Sequence, residues 1–83
     1  LQGEVVAPLV ADIDTGEPAL RLSPREREVL QLVAHGFENK QIATELDISE
    51  ATVKTYLRGI FERFGVSGRA EAVAVALREG MIE

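Results

Sequence analysis

Residues 39–64 read NKQIATELDISEATVKTYLRGIFERF, and this stretch decides the fold. Its apolar side chains recur three and four positions apart in residues 39–46 and again in residues 50–64, which is the spacing of one buried face on an α-helix. Between these runs the residues Asp47-Ile48-Ser49 predict a tight turn, and Ser49 is a favourable N-cap for the second run. The stretch therefore predicts a short helix and a longer helix joined by a turn.

The residues before this pair contain a complete start signal for another helix. Ser23 is suited to the N-cap, Pro24 to the first helical position, and Glu26 completes a capping box three residues after the cap. His35-Gly36 indicates the end, because glycine readily takes the positive φ found at helix C-termini. We expect this helix over residues 24–35. Its predicted buried stripe consists of Val29, Leu30 and Val33.

A fourth helix is expected to begin after Ser67-Gly68 and to stop at Gly80. Apolar side chains occupy both of its sides, so two stripes compete for the core. The side predicted to face inward consists of Ala70, Val73, Ala74 and Leu77. The side predicted to face outward consists of Ala72, Val75 and Ala76. Together the four segments predict an all-α domain over residues 22–83.

Residues 1–21 show no sustained helical period and contain two glycines and two prolines. We interpret them as a linker or partly ordered segment, with one short strand or turn near Val5-Val6. The chain starts at Leu1 without an initiator methionine, which indicates a piece of a longer protein. The domain that senses a signal is then expected to lie upstream of this linker.

Composition excludes several classes of function. A chain of 83 residues supports one compact core, and without cysteine it has neither a disulfide framework nor a thiolate metal site. No cofactor, metal ion or membrane is expected as a partner, and a soluble cytoplasmic location is expected. The sequence contains no glycine-rich phosphate loop and no nucleophile beside a base, so we do not expect an enzyme.

The net charge of −5 is unevenly distributed along the chain. Residues 1–20 carry four acidic and no basic side chains, whereas residues 21–83 carry ten acidic and nine basic ones. Within residues 51–69 four basic side chains stand against Glu62 alone. Because affinity for duplex DNA depends on neutralising phosphates, this local excess places the favourable charge on the longer helix of the pair.

Two helices joined by such a turn, the second longer and basic on its outer side, form the arrangement that places a recognition helix in the major groove of DNA. Lys54, Thr55 and Arg58 lie on that outer side, within reach of base edges. Asn39 and Lys40 begin the first helix of the pair, where unpaired backbone amides attract a phosphate.

Four segments also carry a resemblance to a known family. They are SPREREVL at 23–30, NKQIA at 39–43, ISEATVK at 48–54 and GVSGRAEAV at 65–73. From Leu22 to Ile82 the chain resembles, without gaps, the C-terminal DNA-binding domain of LuxR-type regulators.

The resemblance implies a role for each matching residue. Base contacts in the groove are implied for Lys54, Thr55 and Arg58. The residues implied to touch or orient the DNA backbone are Asn39, Lys40, Thr52, Tyr56 and Arg69. A dimer contact on the last helix is implied for Ala72, Val75 and Ala76. The expected complex is a homodimer on an inverted repeat of double-stranded DNA.

Several alternatives stay open at this point. The output domain of a two-component response regulator fits best, but a ligand-sensing or ATP-driven regulator would carry the same domain. A protein-interaction domain that binds RNA polymerase or another regulator, with little affinity for DNA, is favoured by the net acidic charge and by Glu38, which stands where relatives usually have Ser or Thr. A third alternative is the promoter-reading region of a sigma factor. The segment GVSGRAEAV and the fourth helix argue against it.

Overall fold

The computed structural model describes residues 21–83, and this part of the chain contains four helices and no strand. The helices are α1 (Pro24–Ala34), α2 (Asn39–Leu46), α3 (Glu50–Phe64) and α4 (Arg69–Arg78). The predicted all-α fold and the order of its helices are confirmed. The linker predicted for residues 1–21 lies outside the described residues except for Arg21.

Helix α1 begins with the capping box that the sequence predicts. The Ser23 hydroxyl accepts a hydrogen bond from the Glu26 N–H at 3.1 Å, and the Ser23 N–H donates to Glu26 Oε1 at 2.9 Å. The helix ends at Ala34, one residue earlier than predicted, and His35 is its C-cap. Gly36 then takes φ +90°, which lets the Phe37 N–H return to the Leu32 carbonyl at 3.0 Å.

The turn between α2 and α3 is fixed by hydrogen bonds at both ends. Asp47 adopts the left-handed conformation at φ 57°, which aspartate tolerates better than most residues. The Ile48 N–H then reaches the Ala43 carbonyl at 2.9 Å. On the other side, the Ser49 hydroxyl accepts from the Thr52 N–H at 3.0 Å and so caps α3. Both helices therefore meet the turn with defined directions.

Side chains from all four helices form the core, together with one residue after α4. Helices α1 and α3 each pack against the other three helices. The most deeply buried large side chains are Leu30, Ile42, Ile60, Val29 and Val53. This packing turns one stripe of α3 inward, because Val53, Leu57 and Ile60 are all buried.

The predicted orientation of α4 is wrong. Ala72 and Ala76 are fully buried at 0% exposure, whereas Ala70 and Ala74 are exposed and Leu77 is 49% exposed. The reason is that two small side chains one turn apart let α4 approach α1 and α3 closely, and that Ile82 folds back to fill the core beyond the helix end. Fully buried Ala72 and Ala76 are not available for the dimer contact expected of them.

An ion pair joins the start of α1 to the end of α3. The Arg63 guanidinium donates to the Glu26 carboxylate, and it also donates to the Arg21 carbonyl at 3.0 Å. Partial burial by itself would raise the pKa of Glu26, but the Ser23 N–H and the Arg63 charge outweigh it and hold that pKa below its ordinary value. The pair therefore favours the ionised carboxylate in the folded state.

None of the helices in residues 21–83 has the length and apolar character needed to span a bilayer.

The orientation of α4 can be tested with two matched substitutions. Ala76→Leu inserts a larger side chain into a site with no free surface, and we expect it to lower the free energy of unfolding by about 1–3 kcal/mol. Ala74→Leu, two residues away on the exposed side, is expected to change it by less than about 0.5 kcal/mol. Urea denaturation followed by circular dichroism measures both. The reverse order would contradict the orientation.

The Glu26–Arg63 pair predicts a dependence of stability on pH. Because the pKa of Glu26 is lowered in the fold, its contribution is present above the ordinary value of 4.5 and is lost as the pH falls through the folded value. Acidification should therefore reduce the free energy of unfolding more in the wild type than in Glu26→Gln. Urea midpoints measured across this pH range test it, and parallel curves for the two proteins would contradict it.

Candidate nucleic-acid interface

The outward side of α3 carries three of the predicted site residues. Lys54, Thr55 and Arg58 are all exposed, and they lie across the helix from the stripe that packs into the core. Their exposure follows from that packing, because a helix that buries one face must present the opposite face to solvent. The structure thus places these three predicted residues on one surface.

Fewer basic side chains lie on this surface than the sequence suggests. Lys54 and Arg58 lie one turn apart, and neither forms an ion pair with any residue of the segment 21–83. Arg63 is half-buried and paired with Glu26, so it does not belong to the outward surface. Glu62 lies one further turn along the same side and is exposed. The unpaired positive charge on the outward side of α3 therefore lies in its first three turns.

Two further predicted residues lie beside this surface. Thr52 is half-buried, and its hydroxyl lies 2.9 Å from the Ser49 hydroxyl in the turn before α3. Tyr56 is half-buried and its ring packs against the core. The hydroxyl of Thr55 donates to the Ala51 carbonyl at 3.0 Å, which leaves its methyl group and oxygen lone pairs on the outer surface.

The N-terminus of α2 presents backbone amides as predicted, and its N-cap is Glu38. The Glu38 N–H donates to Gln41 Oε1 at 2.8 Å, so Gln41 supports this helix end from three residues further along. The amides of Asn39 and Lys40 occupy the first helical positions, which lack acceptors within the helix. The Glu38 carboxylate is exposed beside them and opposes the attraction of an anion.

Arg69 lies at the first position of α4 and reaches across to the beginning of α2. Its Nη2 donates to Asn39 Oδ1 at 2.6 Å, and its Nη1 donates to the Phe37 carbonyl at 3.4 Å. The resemblance implies that both Arg69 and Asn39 touch or orient the DNA backbone, but nothing in the sequence indicates that they touch each other. Thirty residues separate them, so no local pattern could reveal the contact.

The first turn of α4 is itself held in place. Its N-cap is Gly68, which has no side chain to cap the helix, but the Glu71 carboxylate reaches back to the residue before it: Ser67 donates to Glu71 Oε1 from its hydroxyl at 2.8 Å and from its N–H at 3.0 Å. These bonds lower the pKa of Glu71. The helix position that carries Arg69 is therefore defined by its own local contacts.

Within residues 21–83, no group of three or more metal-ligating side chains comes together. The arrangement consists instead of a short helix with free amides at its start, a fixed turn, and a longer helix with lysine and arginine on its outer side. This is the architecture of a helix-turn-helix DNA-binding domain.

Comparison with known families agrees with the geometry. Residues 20–76 match the family described as bacterial regulatory proteins, luxR family. The chain belongs to this family and holds its helix-turn-helix DNA-binding domain.

Two curated relatives are similar in sequence. The chain is 40% identical over 87 residues to the probable transcriptional regulatory protein NarL of Mycobacterium tuberculosis (strain CDC 1551 / Oshkosh), a match that covers 96% of this chain and 40% of that protein. It is 46% identical over 57 residues to the HTH-type transcriptional regulator MalT of Yersinia pestis (strain Pestoides F), covering 69% of this chain and 6% of MalT. The chain therefore spans less than half the length of either relative.

Two solved structures are similar in fold. The transcription factor GerE superimposes with a TM-score of 0.73 at 39% identity, over 75% of this chain and 92% of GerE. The response regulator ChrA of a heme-sensing two-component system superimposes with a TM-score of 0.72 at 45% identity, over 75% of this chain and 31% of ChrA. The likeness to GerE covers nearly all of that protein.

Proposed function

We propose that this domain binds double-stranded DNA sequence-specifically, with α3 in the major groove, and regulates transcription in the bacterial nucleoid. The observation that carries the proposal is the pair of exposed basic side chains, Lys54 and Arg58, one turn apart on the outward side of α3. Neither is engaged by another side chain of residues 21–83 through an ion pair, so both are free to bind a ligand.

The chemistry of these side chains suits direct readout of base pairs. Lysine and arginine donate to the O6 and N7 acceptors of guanine, which are displayed in the major groove. Thr55 is exposed, so its methyl group can pack against the methyl group of thymine, and its hydroxyl oxygen, whose proton is donated to the Ala51 carbonyl, can accept a hydrogen bond. We infer that Lys54, Thr55 and Arg58 read bases and that α2 holds α3 in register.

A second set of groups is proposed to contact phosphates, which positions the domain without reading sequence. The amides that begin α2 attract an anion through the helix dipole, and the side chains add donors. The groups proposed to touch the DNA backbone, or to orient the groups that touch it, are Asn39, Lys40, Thr52, Tyr56 and Arg69. Glu38 opposes this attraction, so its charge weakens the contact that α2 makes.

We propose that two copies pair through the outward side of α4 when they bind an inverted repeat. The exposed Ala70, Ala74 and Leu77, with half-buried Val73, form an apolar stripe that no other described helix covers. This stripe replaces the one that the sequence predicted, Ala72, Val75 and Ala76. Of those three residues Ala72 and Ala76 are buried in the core, and Val75 is half-buried. A two-fold axis through α4 would place the two α3 helices on successive turns of the groove.

We further propose that the whole protein is a response regulator. The two-component regulator ChrA and the regulatory protein NarL both contain a domain similar to this chain and extend well beyond it. The coding sequence upstream of Leu1 tests this proposal. A receiver domain with a phosphoacceptor aspartate supports it, whereas a ligand-sensing or nucleotide-binding domain contradicts it.

Selection from a randomised pool of duplexes, at two salt concentrations, tests the proposed function itself. We expect a retained motif with two-fold symmetry and half-sites about one helical turn apart, and weaker retention at the higher salt concentration. An asymmetric single half-site would contradict the dimer while leaving DNA binding intact.

Absence of any enriched motif, together with salt-independent binding to a protein such as RNA polymerase, would favour a protein-interaction domain. The exposed Glu38 carboxylate at the N-terminal end of α2 and the net charge of −5 are the two observations that favour this alternative.

Substitutions on α3 should weaken binding without unfolding the domain. We expect Lys54→Ala and Arg58→Ala each to cost about 1–3 kcal/mol of binding to the selected duplex, because each removes one base contact, with little change in the free energy of unfolding. Fluorescence anisotropy measures the first quantity and urea denaturation the second. Arg78→Ala, which removes an exposed arginine at the far end of α4, is the charge-matched control and should leave affinity nearly unchanged.

The opposite sign is expected for Glu38→Gln. This change removes a carboxylate beside the amides of α2, so the domain should bind the same duplex more tightly at low salt. Equal affinities for Glu38→Gln and the wild type would show that this end of α2 does not approach a phosphate.

A further inference from the structure

The contact between Arg69 and Asn39 fixes the orientation of the Asn39 side chain. A guanidinium group carries only hydrogen-bond donors, so the atom of the carboxamide that faces it must be the oxygen. Asn39 Oδ1 lies 2.6 Å from Arg69 Nη2 in agreement with this requirement. The two donors of the Asn39 Nδ2 group are therefore turned away from Arg69.

The location of Arg69 is unfavourable for α4 itself. A positive charge in the first turn of a helix opposes the helix dipole, and the side chain is exposed rather than buried in the core. Its two hydrogen bonds both go to the segment that leads into α2, at the Phe37 carbonyl and at Asn39. The contacts of Arg69 thus serve the start of α2 rather than the helix that carries it.

We propose that Arg69 is a positioning residue for DNA binding: it holds the Asn39 carboxamide so that Nδ2 donates to a phosphate. This inference rests on the proposed function, because it assumes that the start of α2 meets the DNA backbone. Without Arg69, no hydrogen bond within residues 21–83 holds the carboxamide, so its oxygen is able to face the phosphate as readily as its nitrogen.

Through Arg69, α4 takes part in the proposed phosphate contact although it lies outside the helix-turn-helix pair. Ser67 and Glu71 define where α4 begins, and Ala72 and Ala76 anchor it in the core. Because α4 is fixed in this way, the hydrogen bond from Arg69 also fixes the Asn39 side chain at the start of α2. A direct contact from Arg69 to a phosphate is the competing role, and it predicts that Arg69 and Asn39 contribute independently.

A double-mutant cycle on the full chain separates these roles. The proteins are the wild type, Asn39→Ala, Arg69→Met and the double variant, and the probe is one duplex of fixed sequence in low salt. We expect Asn39→Ala to weaken binding about tenfold in the wild-type background, the loss of one hydrogen bond to a charged group. In the Arg69→Met background the same change should weaken binding less than about twofold.

Comparing the effect of Asn39→Ala in two backgrounds cancels the general loss of charge that Arg69→Met causes. Arg78→Met is the matched background, because it removes an arginine from the other end of α4 and should leave the tenfold effect intact. A tenfold effect in the Arg69→Met background as well would overturn the proposal and assign Arg69 an independent contact.

Asn39→Asp gives a second test that does not depend on the folding of an Arg69 variant. The carboxylate keeps an acceptor oxygen for Arg69 and makes the hydrogen bond charge-assisted on both sides. The melting temperature should therefore not fall below that of the wild type. It also replaces the Nδ2 donors by an oxygen that repels the phosphate, so binding should weaken more than about tenfold. Wild-type affinity for Asn39→Asp would overturn the proposal, because a purely structural pair would tolerate this change.

The two levels of inference fail in distinguishable ways. If the wild type binds no duplex at low salt, the proposed function is wrong. If the wild type binds and Lys54→Ala weakens binding, but the cycle is additive, only the role of Arg69 is wrong.

Discussion

The burial of one stripe of α3 among the other three helices is the constraint on which the rest of the structure depends. Val53, Leu57 and Ile60 can leave water only if α1, α2 and α4 surround them. Once they do, the opposite side of α3 must remain in solvent, because no fifth helix among residues 21–83 covers it. The same apolar contacts that stabilise the fold thus create the outward surface on which Lys54 and Arg58 lie.

The basic side chains of residues 51–69 divide into two kinds. Lys54 and Arg58 stay on the outward surface, whereas Arg63 and Arg69 connect parts of the chain that are distant in sequence. Arg63 joins α3 to α1, and Arg69 joins α4 to the start of α2. Arginine suits both connections because its planar group carries several donors in fixed directions. Charge counted along the sequence therefore overstates the charge that faces a ligand.

How much of the molecule the sequence predicts depends on the range of the interaction. Local signals predict the four helices within one residue or two, because the caps at Ser23 and Ser49 and the turn at Asp47 act between near neighbours. The prediction of the orientation of α4 was wrong, because both of its stripes are apolar and packing against α1 and α3 decides which of them is buried. The contact of Arg69 with Asn39 has no local signature at all, whereas the outward side of α3 does, because its period is that of a single helix.

The charge distribution bears on how such a domain would be controlled. Residues 21–83 carry nearly equal numbers of acidic and basic side chains. Under the proposed function, attraction to DNA would then come from a few groups on α2, α3 and α4 rather than from the whole surface. Few neutralised phosphates mean modest affinity for one domain, and affinity rises steeply when two linked domains bind adjacent half-sites. Under the proposed function, pairing through α4 would then determine whether the DNA is occupied. If a single copy binds weakly, an upstream domain that controlled this pairing would also control DNA binding.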